Sequence, residues 1–452
     1  MTGRPLAGRN LLIGALLAAV VVGLAGVQAL LSYAASPQLV LGGAIALSVA
    51  GSVAYAPMLG IYATVLAVPL EVLDLSLGSF GLTPSESLAI ITAGASAFVL
   101  VRGSSAARVD AAHIAFAVGL FVLAAGLTIA VDPFTTTKIL VMWSAFLVIS
   151  MFIALRASVK EIERIVLCLA MSAGAVGAIA LLGTGSQEAA NGGAVVSNRA
   201  VGSFSHPNQL AFFLVLGLPC ALASALHSRA ATRWLLIAAI ALAAGGLVLT
   251  LTRSAMIGAF VSLGILATWP RFRRVAGVAL VALLAYVAIN PSIVSGREVS
   301  LVATRLSTVT QLRDTQGNSR LEIYSRTPAI IADHPFLGVG AGNFPQYSIR
   351  YGLSEGGEAF SHAHNVFLTL GAELGLLGLI AGVWFVLAVS RRALAVLRNR
   401  RSPTYPSGIA LVAALAGVLV TSVTDYPVGS NPVLATIMIE VGALIRLARF
   451  DE

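Results

Sequence analysis

The chain has 452 residues, of which 58% are hydrophobic and only 10% charged, and its mean hydropathy is +0.92. A soluble domain carries about a quarter charged residues, so this composition excludes a water-facing globular surface and makes the bilayer the natural solvent. The formal net charge of +9 does not point to nucleic acid, because the arginines lie in short segments between apolar runs.

In chain order, Arg4 and Arg9 precede an apolar run over 11–32. It is long enough to cross a hydrocarbon core, which needs about 20 residues. More runs follow, so it reads as a first membrane helix and not as a cleaved leader. Further candidate spans lie near 38–55, 57–73, 87–101, 112–131, 137–155, 163–184, 208–226, 232–250, 254–269, 274–290, 364–390, 407–424 and 431–448, which makes 14. Runs 57–73, 87–101 and 254–269 are short for a full crossing, and 38–73 has the look of a broken or re-entrant pair. The two cysteines, Cys168 and Cys220, sit inside apolar runs and read as small buried residues without disulfide or metal spacing.

Arginine and lysine set the orientation. With the N-terminus in the cytoplasm, 19 of the 28 basic residues fall on inner segments and 9 on outer ones. Six of those nine lie in one long segment, 291–363. Long translocated segments are largely exempt from the rule, so the asymmetry predicts that both termini are cytoplasmic. The expected architecture is all-α: a polytopic bundle of about 12–14 membrane helices with one long outer loop. It divides into a bundle over 1–290, a loop subdomain over 291–363 and C-terminal helices over 364–452, integrated as one domain. A second polar stretch, 185–207, also lies on the outer side.

The outer face carries the residues suited to chemistry. Arg199 and Arg253 lie at the same level outside the long loop. A guanidinium close to a bilayer usually marks a function, and its planar donor fork suits phosphate oxygens. Gripping a lipid-linked phosphate and snorkelling to headgroups both remain open for the pair. His364 stands where the long loop re-enters the membrane, and His362 competes with it. A helix N-terminus disfavours imidazolium, and a neutral ring can serve as a general base or simply cap the helix. Glycines 371, 375, 378 and 382 suggest close helix packing. Glu373 and Glu440 are ionisable groups inside spans, and Glu373 reads as structural. The scattered outer carboxylates show no metal-ligand spacing, so no metal and no cofactor is expected.

Four segments carry a family resemblance: Arg199-Ala-Val-Gly-Ser-Phe-Ser-His-Pro-Asn208; Leu249-Thr-Leu-Thr-Arg-Ser254; Asn318-Ser-Arg320-Leu-Glu-Ile-Tyr-Ser running into Asp333-His-Pro-Phe-Leu-Gly-Val-Gly-Ala-Gly-Asn-Phe344; and His362-Ala-His-Asn365 with Glu373-Leu-Gly-Leu-Leu-Gly378. In order and on one face, over roughly 199–390, they resemble the O-antigen ligase and polymerase superfamily of bacterial envelope enzymes. The resemblance implies a many-helix fold like that of lipid-sugar glycosyltransferases, in the bacterial inner membrane. It implies transfer of a glycan from undecaprenyl pyrophosphate to an acceptor hydroxyl, such as one on lipid A-core, on the periplasmic or outer face. The reaction would need no metal and would invert the anomeric centre. Carried over by residue, Arg199 and Arg253 would grip the pyrophosphate, and His364 would activate the acceptor. Arg320 would contact substrate or stabilise the leaving group, with Asn208, Asn365 and His362 in support.

A repeat-unit polymerase shares this donor chemistry and is the alternative within the superfamily. A multi-helix transporter is the alternative from another class, but it should show internal repeats and midplane polar sites. The chain shows no repeat, and its polar features cluster on one outer face.

Overall fold

A computed structural model describes residues 51–53, 55–71, 75–77, 80–102, 108–183, 186–187, 199–276, 320–355 and 358–451. The expected spans at 11–32, most of 38–55 and most of 274–290, and the loop residues 291–319, lie outside the described residues. Helices α1 (Pro57–Ala67), α2 (Pro84–Arg102), α3 (Ala111–Gly126), α4 (Pro133–Arg156), α5 (Val159–Leu181), α6 (Pro207–His227), α7 (Ala230–Leu249) and α8 (Arg253–Leu266) are followed by two loop helices, α9 (Arg320–Asp333) and α10 (Phe344–Arg350). Then come α11 (Val366–Arg398), α12 (Tyr405–Ser422) and α13 (Asn431–Asp451). The expected spans from 57–73 to 254–269 fall on α1–α8 and the last three on α11–α13, with ends moved by up to six residues, except that α11 runs on to Arg398, beyond the expected 390. Seven helices (α2, α4–α7, α11 and α12) are long and apolar enough to cross a membrane; α1, α3 and α8 are shorter. Strand is confined, among the described residues, to three two-stranded hairpins.

The helix starts follow from local chemistry. Asp110 caps α3 through Ala112 N, Asp132 caps α4 through Phe134 N and Thr135 N, and Ser158 forms a capping box with Glu161 on α5. These side chains satisfy N–H groups that a helix cannot pair internally. Proline, which has no N–H to lose, stands at the first position of α4 and α6.

Helix α6 lies at the centre, mostly buried, packed among α5, α7, α8, α12 and α13. Close approach depends on small residues. A methyl group on Gly258 of α8 would stand 2.5 Å from Gly417 O of α12, and Gly177 of α5 is equally tight against the backbone of α7.

Helix α11 is broken. Gly375 has φ 66 and ψ −168, within an otherwise continuous helix. The gap is filled by segment 335–343 of the loop between α8 and α11. Val339 N and Gly340 N donate to Ala372 O and Glu373 O, both at 2.9 Å, and Leu376 N donates to Pro335 O at 2.8 Å. Gly338, Gly340 and Gly342 all take positive φ here. A Cβ on Gly338 would strike the backbone of Ala372 and Glu373, and one on Gly375 the backbone of Phe336. Asn343 locks the segment to α4: its Oδ1 accepts from Asp132 N at 2.6 Å, and its Nδ2 donates to Thr136 Oγ1 at 3.0 Å. Glu373 is buried and accepts from Phe344 N at 3.4 Å, in keeping with its structural reading. The segment is thus a plug seated in the helix bundle.

Glu440 and Cys220 meet in the core, Sγ to Oε1 at 3.9 Å, and both cysteines are free thiols.

Candidate functional site

The N-termini of α6, α8 and α11 meet the C-termini of α7 and α12 at one end of the bundle, and a polar cluster forms where they meet. Its hub is Asp425, in the short link between α12 and α13, with a side chain only 2% exposed. Its Oδ2 accepts from Asn208 Nδ2 at 2.8 Å, and its Oδ1 accepts from Tyr426 N at 2.9 Å. Three further groups aim at it from longer range: Arg320 Nη2 at 3.8 Å, His362 Nε2 at 3.8 Å and His364 Nδ1 at 3.5 Å.

Each partner is held by its own element. Asn365 is the N-cap of α11, accepting from Phe367 N and Leu368 N, and it donates through Nδ2 to Val423 O at 2.8 Å. That bond ties the histidine segment to the end of α12. The His364 carbonyl accepts from Tyr324 OH of α9 at 2.9 Å. The two imidazoles stand 4.4 Å apart, centre to centre, and Ser361 Oγ lies 2.8 Å from His362 Nδ1. Arg320, the first residue of α9, donates from Nη1 to Thr424 O at 2.8 Å.

Arg199 sits across Asn208 from Asp425. Its Nε donates to Thr250 O at 2.8 Å, and its Nη2 donates to Asn208 Oδ1 at 2.8 Å and Thr252 Oγ1 at 3.0 Å. The sequence-expected phosphate grip is therefore in large part a clamp on the α7–α8 turn and on Asn208. Arg253 follows Thr252 as the first residue of α8, so the same clamp places it beside this cluster. Among the described residues, the two non-glycine positions with positive φ are Leu251 (φ 50) and His364 (φ 49). Such a conformation is unusual for a bulky residue, and backbone strain of this kind concentrates at functional sites.

The electrostatics follow from this packing. Burial alone would raise the Asp425 carboxyl. The approach of the His362 and His364 rings and the charge of the Arg320 guanidinium outweigh burial and hold it well below the usual carboxylate range. Burial lowers His362, and the neighbouring His364 and Arg320 add to that, while Asp425 opposes it. His206 is lowered to about 4, first by loss of solvation and then by the Arg199 charge.

The fold brings together Arg199, Asn208, Arg320, His362, His364 and Asn365, all expected from sequence, and places Arg253 at their margin. It adds two residues that sequence reasoning passed over, Asp425 and His206. A lone carboxylate in the short link between two apolar runs was the available signal for the first. The second lies inside the Arg199–Asn208 segment, hidden by its better-known neighbours.

No metal cluster is legible in the sequence spacing, yet folding gathers one possible set: His362, His364 and Asp425 offer ligand atoms within 4.8 Å of one another. Both oxygens of Asp425 already accept protein N–H groups, and the Arg320 guanidinium competes for the same carboxylate. The set is better matched to orienting a histidine than to caging a cation.

The helix bundle thus gathers cationic and imidazole groups at one end, an arrangement chemically suited to an anionic ligand. Residues 237–383, about a third of the chain, match the family model described as O-Antigen ligase. Arg253, Arg320, His362, His364 and Asn365 fall inside the matched stretch; Arg199, Asn208 and Asp425 fall outside it. No curated protein matches the chain. Among solved structures, the chain is similar to one described as "Structural coordination of polymerization and crosslinking by a peptidoglycan synthase complex", with 18% identity and a TM-score of 0.41. That match covers 75% of this chain and 96% of the other.

Proposed function

We propose that the protein transfers a glycan from undecaprenyl pyrophosphate to an acceptor hydroxyl, on the membrane face away from the cytoplasm. The observation that carries this reading is the convergence of His364, Arg320 and the Arg199–Asn208 pair on the single buried carboxylate of Asp425.

The chemistry has two demands. The acceptor oxygen must lose a proton, and the departing pyrophosphate must have its charge stabilised. His364 meets the first. Its Nδ1 faces Asp425 and has no hydrogen-bond partner among the described residues. A carboxylate on that side favours the Nδ1–H tautomer and leaves Nε2 to take the proton. The 3.5 Å separation is long for a hydrogen bond, as catalytic contacts without substrate often are. Arg253, Arg199 and Arg320 meet the second demand as fixed positive charges that need no reorganisation when the C1–O bond to the pyrophosphate breaks. The new bond forms from the acceptor oxygen to the opposite face of C1, which inverts it, and polyprenyl pyrophosphate departs. No step is assigned to a metal.

The orientation follows the basic residues: the arginine-rich ends of the helices face the cytoplasm, as do both termini. Lipid A-core is the proposed acceptor for a ligase, and a second lipid-linked repeat for a polymerase. The deciding experiment incubates purified protein with an undecaprenyl-pyrophosphate-linked oligosaccharide and each acceptor in turn, with and without chelator. Product from wild type but not from His364→Ala supports the reading. Equal product from both overturns the role of His364, and product that requires an added divalent cation overturns the metal-free step.

A further inference from the structure

We propose that His206 is a further substrate-binding residue, which presents a neutral Nε2–H donor to the diphosphate of the lipid donor; this rests on the function proposed above.

The argument begins with a tautomer. His206 is the N-cap of α6, and its Nδ1 accepts a hydrogen bond from Asn208 N at 3.1 Å. A ring nitrogen that accepts from a backbone N–H carries no proton of its own, so the proton of the neutral ring is on Nε2. His364 has the opposite arrangement: its Nδ1 faces a carboxylate, which draws the proton to that nitrogen and leaves the lone pair on Nε2. One site therefore holds two imidazoles with opposite outward faces. His364 presents an acceptor, suited to taking a proton. His206 presents a donor and has no lone pair with which to act as a base.

The position of the ring gives this donor its use. His206 accepts from the backbone N–H of Asn208, whose side chain bonds to both Arg199 and Asp425, so it stands within the cluster. It is nevertheless exposed, and Nε2 has no hydrogen-bond partner among the described residues. Arg199 directs Nε and Nη2 to protein acceptors, and Arg320 directs Nη1 to Thr424 O. An arriving diphosphate needs donors that remain open, and His206 offers one at the positive end of a 21-residue helix. The helix end and Arg199 both disfavour a second proton on the ring, so the donor stays neutral through the physiological range. A bare helix cap is served as well or better by Ser, Thr, Asp or Asn. A histidine there adds reach and an N–H that the cap itself does not use.

The test separates cap from donor. His206→Asn keeps a good N-cap but removes the donor at ring length, and His206→Ser does the same with a different capping group. Binding of farnesyl pyrophosphate to the purified protein is measured alongside thermal unfolding, with farnesol as a control for the apolar chain. Both variants should unfold with wild type, bind farnesol as wild type does, and bind farnesyl pyrophosphate about ten-fold or more weakly, the scale of one hydrogen bond to a charged group. Full-strength binding of farnesyl pyrophosphate by either well-folded variant would reduce His206 to a cap and overturn the proposal. His364→Ala is the companion control. Retained transfer by that variant overturns the functional reading, whereas full loss of transfer by it, with wild-type binding by His206→Asn, overturns this inference alone.

Discussion

Two buried aspartates, at opposite ends of the bundle, are gripped by cations in different ways. Asp110 caps α3, accepts from Arg392 Nε at 2.9 Å and lies 3.7 Å from Arg449 Nη2. Arg449 also donates to Arg108 O, and Arg446 donates to Ala157 O. That end ties α3, α11 and α13 together with short bonds. Asp425 has a similarly buried side chain, but its arginine and both histidines stand at 3.5–3.8 Å. Its short bonds go to Asn208 and its own neighbour, and the groups able to do chemistry are left loosely engaged. The first aspartate has the geometry of a fastener, and the second that of a site that still expects a ligand.

The largest expected effect comes from exchanging the two roles by mutation. Asp425→Asn should reduce transfer at least about 100-fold, the low end for losing the support of a general base, while the protein remains folded. Asp110→Asn should leave transfer per folded molecule near wild type but destabilise the protein. Removing one partner of a buried pair costs on the order of 3–5 kcal/mol. Transfer rates and thermal unfolding of the two variants, measured side by side, would erase the contrast if the two patterns came out reversed.

Next in size is the division of labour between the histidines. His364→Ala should match Asp425→Asn in lost transfer. His362→Ala should lose less than about ten-fold, because its Nδ1 is engaged with Ser361 and its Nε2 lies farther from Asp425. A variant series in which His362 proves the more sensitive of the two would move the base by two residues.

The plug offers a smaller effect of another kind. Gly375→Ala and Gly338→Ala both place a Cβ against backbone at positive φ, where a substitution is strained by about 1–3 kcal/mol. Each should lower the unfolding temperature. Each should also weaken transfer less than Asp425→Asn does, since the plug seats on α11 at Ala372–Leu376 and bonds to none of the side chains gathered around Asp425. Wild-type stability in both variants would mean that the segment does not seat on α11.

These contrasts also show what a linear sequence can disclose. Span positions were legible because a run of apolar residues is a local property, and α2 through α8 begin and end within a few residues of expectation. Arg199, Arg320 and His364 were legible because charged or titratable groups at a membrane face are few. Asp425 was not, since a lone carboxylate after α12 gains meaning only when Asn208, Arg320 and His364 arrive from three other elements. The plug was hidden for the same reason. The glycines at 338, 340 and 342 announce a turn, but the break at Gly375 that receives it lies more than thirty residues on, and nothing local links the two.

The smallest expected effect is on acid stability, and its sign is fixed by the site end of the molecule. His206 has a folded value of about 4, below the roughly 6.5 of a free histidine. Below pH 6.5 the unfolded chain therefore binds a proton that the folded one refuses, and stability falls as pH drops from about 6.5 towards 4. Exposure of the ring to solvent screens part of this, so the slope should be shallow. Asp425, depressed in the folded state, contributes stability that is present above about pH 4 and is lost only as pH falls through its lowered folded value. Asp425 therefore adds no step in the window that belongs to His206. Unfolding temperatures from pH 7 to pH 4 should decline less for His206→Asn than for wild type, with the two curves converging near neutrality. Parallel curves would mean that the folded ring takes up its proton as readily as the unfolded one, and Nδ1 could not then be held as the acceptor for Asn208 N.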